Sequence, residues 1–100
     1  MKRILALVIA AAGLALPQAA DYANQRYRTK EGREAMAKTL GSHDREQTQK
    51  PEELVAALKI APGNTVADIG TGVGFMLPYL TQAAGPKGKV VAEDIFPDFL

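Results

Sequence analysis

The sequence contains no cysteine, which excludes disulfides, thiolate metal sites, a cysteine nucleophile and a lipobox, and which fits any compartment. It has one histidine, His43. Neighbouring Asp44 and Glu46 do not supply a second ligand at helical or metal-motif spacing, so a loop position is expected and no metal site. Net charge is also scarce: the formal +1 becomes −1 when Lys2 and Arg3 are set aside, which gives no electrostatic basis for a nucleic-acid surface. Repeats and low-complexity tracts are absent. What is present is a chain of 100 residues, 47% hydrophobic and 23% charged, with room for at most one small domain.

A uniform transmembrane run is lacking as well. Ile4 to Leu16 gives thirteen uncharged residues, too short to cross about 30 Å of hydrocarbon as a helix. Behind the positive Lys2 and Arg3, and ahead of Pro17 and Ala20, this run reads as a secretory signal over residues 1–20, with export to a periplasmic or extracellular space. Cutting after Ala20 places Gln18 at the −3 position, where a small residue is preferred. An uncleaved N-terminal anchor, the chain's sole membrane attachment, or an upstream misassigned start in a cytoplasmic protein are the alternatives.

Residues 21–50 form a polar lead-in in which Arg26, Arg28, Lys30, Arg33, Lys38, Arg45 and Lys50 alternate with Glu31, Glu34, Asp44 and Glu46, the composition of a solvated surface. One short helix is expected there, Arg33 to Leu40, ended by Gly41-Ser42. Residues 51–100 are better defined. Pro51-Glu52-Glu53 opens a helix, because proline suits the first helical position and glutamates suit the positive end of the helix dipole. Leu54, Val55 and Leu58 share a face that should pack on the sheet, and Pro62-Gly63 turns the chain.

Thr65 to Ile69 then reads as a strand buried on both faces, as in a parallel sheet between helices, with Asp68 as its one charged residue. Three glycines follow at alternate positions: Gly70-Thr71-Gly72-Val73-Gly74. Glycine is required where φ is positive or where a ligand lies against main-chain N–H groups, so the loop reads as a ligand cradle. Asp68, at the strand's carboxyl end, faces the ligand, accepts hydrogen bonds from the loop amides, or does both. A helix over Phe75 to Ala84 comes next. Pro78 lacks the N–H that would bond the carbonyl of Gly74, so the regular helix starts near Leu77 or its first turn bends. Phe75, Met76 and Tyr79 read as core and cleft-wall residues. After the turn Gly85-Pro86-Lys87-Gly88, Lys89 to Ile95 reads as a second strand ending in acid, which completes a βαβ unit. Asp94 lies at the distance from Gly72 at which a carboxylate at the next strand's tip can accept both hydroxyls of a ribose.

The dinucleotide fingerprint G-x-G-x-x-G wants a glycine or alanine where this chain has Phe75. What Ala67-Asp68-Ile69-Gly70-Thr71-Gly72-Val73-Gly74 resembles is motif I of the class I S-adenosylmethionine-dependent methyltransferases, with Asp94 and Ile95 at the places of that family's ribose-binding acid and adenine-packing apolar residue. Glu93 departs from the pattern, since an apolar residue is usual there; Asp94 is preferred over it as the ligand acid.

The resemblance implies a Rossmann-like α/β fold, a parallel sheet with helices on both faces, of which this chain holds the first βαβ unit. It implies S-adenosyl-L-methionine as cofactor, held by Asp68, Gly70, Thr71, Gly72, Asp94 and Ile95. It implies transfer of a methyl group to an acceptor that the sequence does not name. The catalytic residues are expected near later strand ends, so the chain is expected to be an N-terminal piece, inactive alone. A nicotinamide- or flavin-binding Rossmann oxidoreductase and a non-catalytic exported fragment are the competing readings.

Overall fold

The computed structural model describes residues 19–100. The leader reading of residues 1–20 therefore lies, except for its last two residues, outside the described ones. By contacts the chain divides after Glu34 into two units.

In the first unit, residues 19–24 are helical (α1) and Gln25–Tyr27 forms a single 3-10 turn. Arg28 pairs with Asp21 at 2.9 Å, an exposed contact of small energetic weight. The helix α2 spans Lys30–Leu40 and runs across the division. It begins three residues before the expected Arg33 because Thr29 caps it: the Thr29 hydroxyl oxygen accepts the Gly32 N–H at 3.1 Å and its carbonyl accepts Arg33 N–H at 3.0 Å.

The second unit holds the rest. After Gly41 a further helix, α3, covers Asp44–Gln49, where the sequence predicts no more than polar lead-in. Its residues Asp-Arg-Glu-Gln-Thr-Gln offer no apolar stripe, so hydrophobic periodicity gives no signal for it. Asp44 and Glu46 in the first turn favour the helix dipole, and Lys50, in the left-handed conformation with φ 47°, closes it through a bond from its N–H to the Glu46 carbonyl. Pro51 then starts α4, Pro51–Leu58, at its first position, and Lys59 closes it in the same left-handed way.

Strand β1 is Thr65–Ile69 and strand β2 is Lys89–Glu93; they pair in parallel from Thr65 with Lys89 to Ile69 with Glu93. Between them α5 spans Leu77–Ala84, the start that Pro78 dictates, since its ring sits in the first turn, where a missing N–H costs nothing. Of the two starts that Pro78 allows, the one near Leu77 is found, and turns over residues 72–76 precede it.

α5 packs on both strands and α4 packs on α5. This corrects the placement of α4 on the sheet. The small core follows from it: Val55 of α4, with Leu80 and Ala84 of α5, are buried, as is Pro51. Strand β1 is likewise less covered than its apolar sequence suggests. Thr65, Ala67 and Ile69, which alternate onto one face, are exposed, and Val66 and Asp68 are half-buried. Burial on both faces requires a helix on each side, and α5 supplies one. Strand β2 ends at Glu93, short of the expected Ile95, and the chain then makes a 3-10 turn over Pro97–Phe99.

Candidate functional site

The carboxyl ends of β1 and β2 carry the glycine loop and the acids. Gly70, Gly72 and Gly74 have φ of 74°, 57° and 78°, the left-handed region in which any other residue is strained, so the alternate spacing of the glycines is a backbone requirement. The loop is locked to the tip of β2 by three hydrogen bonds. The Glu93 carbonyl accepts the N–H groups of Gly70 at 2.8 Å and Thr71 at 3.0 Å, and Asp94 Oδ2 accepts Gly72 N–H at 2.9 Å. Within the loop, Gly74 N–H bonds the Thr71 carbonyl and Leu77 N–H bonds the Gly74 carbonyl.

This arrangement explains why β2 stops at Glu93. The Glu93 carbonyl serves the loop, and the Asp94 side chain leaves the ladder to bind Gly72 with one oxygen and Phe96 N–H, at 3.0 Å, with the other. Asp94 is half-buried, and each carboxylate oxygen, having accepted one N–H, retains a second lone pair for a ligand hydroxyl. Glu93 has an exposed side chain and contributes its backbone. Ile95 beside Asp94 is 84% exposed.

Asp68 shapes the loop, through a side chain and not through the loop amides. Its Oδ2 accepts the Thr71 hydroxyl at 2.7 Å, so it fixes the loop through a side chain; the carboxylate that takes a loop amide is Asp94. The structure thus brings Asp68, Gly70, Thr71, Gly72, Asp94 and Ile95 to one end of the sheet. A Cβ built on Gly70 would meet nothing within 4 Å, which leaves open space directly against the loop.

Three residues of the lead-in also reach this region. A Cβ on Gly72 would lie 3.4 Å from Leu40 Cδ1, so the end of α2 rests on the loop. The Arg45 guanidinium lies 4.3 Å from the centre of the Phe75 ring and donates from Nη1 to the Leu40 carbonyl. Glu46 Oε1 accepts the Tyr79 hydroxyl at 2.9 Å, and this bond is the main cause that raises the Tyr79 phenol above its ordinary 10.0. Phe75 and Tyr79 pack with ring centres 6.0 Å apart. Nothing in the spacing of a wholly polar hexamer marks Arg45 or Glu46; their partners are distant in sequence.

No family model matches the chain. Among solved structures, an S-adenosylmethionine-dependent methyltransferase from Aquifex aeolicus superposes on 65% of this chain, with a TM-score of 0.61 and 38% sequence identity. The chain carries a βαβ unit of the class I S-adenosylmethionine-dependent methyltransferase fold. Two curated methyltransferases are similar to it. One is the tRNA (adenine(57)-N(1)/adenine(58)-N(1))-methyltransferase TrmI of Methanocaldococcus jannaschii, 44% identical over 46 residues, which is 46% of this chain and 16% of that protein. The other is an arsenite methyltransferase of Halobacterium salinarum, 42% identical over 41 residues, which is 41% of this chain and 10% of that protein. The chain spans 35% of the solved methyltransferase and a smaller part of both curated ones.

Proposed function

We propose that the protein is an S-adenosyl-L-methionine-dependent methyltransferase and that this unit holds its cofactor. The observation that carries the reading is the bond from Gly72 N–H to Asp94 Oδ2, which sets a carboxylate with spare lone pairs beside a positive-φ glycine loop. A loop of that shape with open space at Gly70 lets a ligand lie against main-chain atoms.

The residues fit the cofactor in kind. Asp94 would accept the ribose hydroxyls, Ile95 would cover the adenine, and Gly70 and Gly72 would lie under the methionine end, with Asp68 near its amino group. Asp68, Glu93 and Asp94 cluster negative charge at the strand tips, which favours a cationic ligand. The cofactor, when bound, supplies a methyl group on a sulfonium, an electrophile open to in-line displacement. The part of this unit is positioning: a locked loop loses little freedom on binding, and holding the reacting groups in line is the chief source of rate in such a transfer. The two curated relatives are named for a tRNA adenine and for arsenite, so similarity over this unit carries no information about the acceptor.

Calorimetry on the full-length protein with S-adenosylhomocysteine and, separately, NAD tests the reading. Saturable binding of the first and none of the second is expected; the reverse preference would replace the methyltransferase by a nicotinamide enzyme.

A further inference from the structure

The lead-in before α4 reads in sequence as a solvated surface, yet its last part touches the glycine loop. Arg45 is half-buried and makes two contacts at once: its Nη1 donates to the carbonyl of Leu40, and its flat face lies over Phe75, the first residue after the loop, at 4.3 Å. Leu40 in turn presents Cδ1 to Gly72, the residue whose N–H binds Asp94. One guanidinium therefore joins the end of α2 to the end of the loop.

We propose that Arg45 is a positioning residue of the cofactor site, clamping Leu40 and Phe75 so that the glycine loop is held in its ligand-ready form before binding. This rests on the cofactor reading above for the ligand, though not for the clamp. The physical basis is that three glycines give the loop wide conformational freedom, which must be lost on binding unless something removes it beforehand. The bonds to Glu93 and Asp94 fix the loop from the side of β2. Leu40 and Phe75, held by Arg45, fix it from the side of α2. Arginine suits this task because its planar group can stack on a ring and donate in its own plane together, which an ammonium cannot do.

The test uses the full-length protein and two readouts: amide hydrogen exchange over residues 70–76, and S-adenosylhomocysteine affinity by calorimetry. Arg45→Ala is expected to speed exchange of the loop amides and to weaken binding about tenfold, the lower end of what one hydrogen bond to a charged group is worth. Leu40→Ala is expected to speed exchange in the same amides with the guanidinium intact, and it stands in should Arg45→Ala not fold. Glu46→Ala removes the neighbouring bond from α3 to Tyr79 and is expected to leave the loop amides unchanged. Unchanged loop exchange in Arg45→Ala overturns the clamp. So does equal acceleration in Glu46→Ala, which would mean that Arg45 does no more than hold α3 in place. Absence of S-adenosylhomocysteine binding in the unsubstituted protein would refute the cofactor reading instead, and the exchange comparison would still decide the clamp.

Discussion

Asp94 Oδ2 accepts the N–H of Gly72 at 2.9 Å across 22 residues of chain, so the acid at the second strand tip and the loop at the first form one object. Asp94→Ala removes both this bond and the proposed ribose contact. S-adenosylhomocysteine binding to the full-length protein should weaken by about 1.5–3 kcal/mol, the range for hydrogen bonds to a charged group. Glu93→Ala leaves the backbone carbonyl that serves the loop and should cost less. Calorimetry giving the opposite order transfers the ribose role to Glu93.

The glycines should separate by what surrounds them. Alanine at Gly70 meets open space, and its cost is the left-handed backbone, about 1–2 kcal/mol for a non-glycine residue. Alanine at Gly74 carries the same backbone cost and also places its Cβ 2.9 Å from Leu77 Cδ1. Thermal unfolding should therefore fall further for Gly74→Ala. Gly70→Ala, whose methyl enters the space against the loop, should lose cofactor affinity beyond its loss of stability. Wild-type affinity in Gly70→Ala would remove the cradle from the site.

Tyr79 gives a pH prediction. Its hydroxyl donates to Glu46, which raises the phenol above 10.0 in the folded state. A group whose folded value is raised contributes stability that is fully present below its unfolded value and is lost as pH rises through the folded one. The window is thus alkaline, above about pH 10, the ordinary tyrosine value. Phenolate absorbance during a pH titration should show Tyr79 ionising above the ordinary tyrosine value. Glu46→Gln, which removes the carboxylate charge, should lower the Tyr79 value. Identical titration curves for the two proteins would mean that the bond does not persist in solution.

The leader reading predicts a mature chain beginning near Asp21. Mass spectrometry of the protein from its native type of host checks this directly. An intact Met1 terminus on a soluble cytoplasmic form would end the export proposal.

The parts of the fold that were legible in sequence are those with local causes. β1 ran as expected from Thr65 to Ile69 because a β-branched apolar stretch sits between a Pro-Gly turn and a positive-φ glycine. α4 began at Pro51 because proline fits the first helical position. Parts with long-range causes were not legible. β2 ends early because its last carbonyl is taken by loop amides of the other strand, and α3 forms without an apolar stripe, its side chains held by Phe75 and Tyr79. The same holds at the site: spacing pointed to Asp94 and Gly72, whereas the capture of Thr71 by Asp68 and the reach of Leu40 and Arg45 depend on how α2 and α3 fold back.

A crystal structure of the full-length protein with S-adenosylhomocysteine bound tests the central claim most directly. The ribose hydroxyls are predicted within about 2.5–3.0 Å of the Asp94 carboxylate, the ordinary range for an O–H to oxygen bond. Ile95 should lie against the adenine, and the methionine end should follow Gly70 and Gly72. A ligand seated away from the strand tips, or a ribose held by Glu93 with Asp94 still committed to Gly72 and Phe96 alone, would contradict the account.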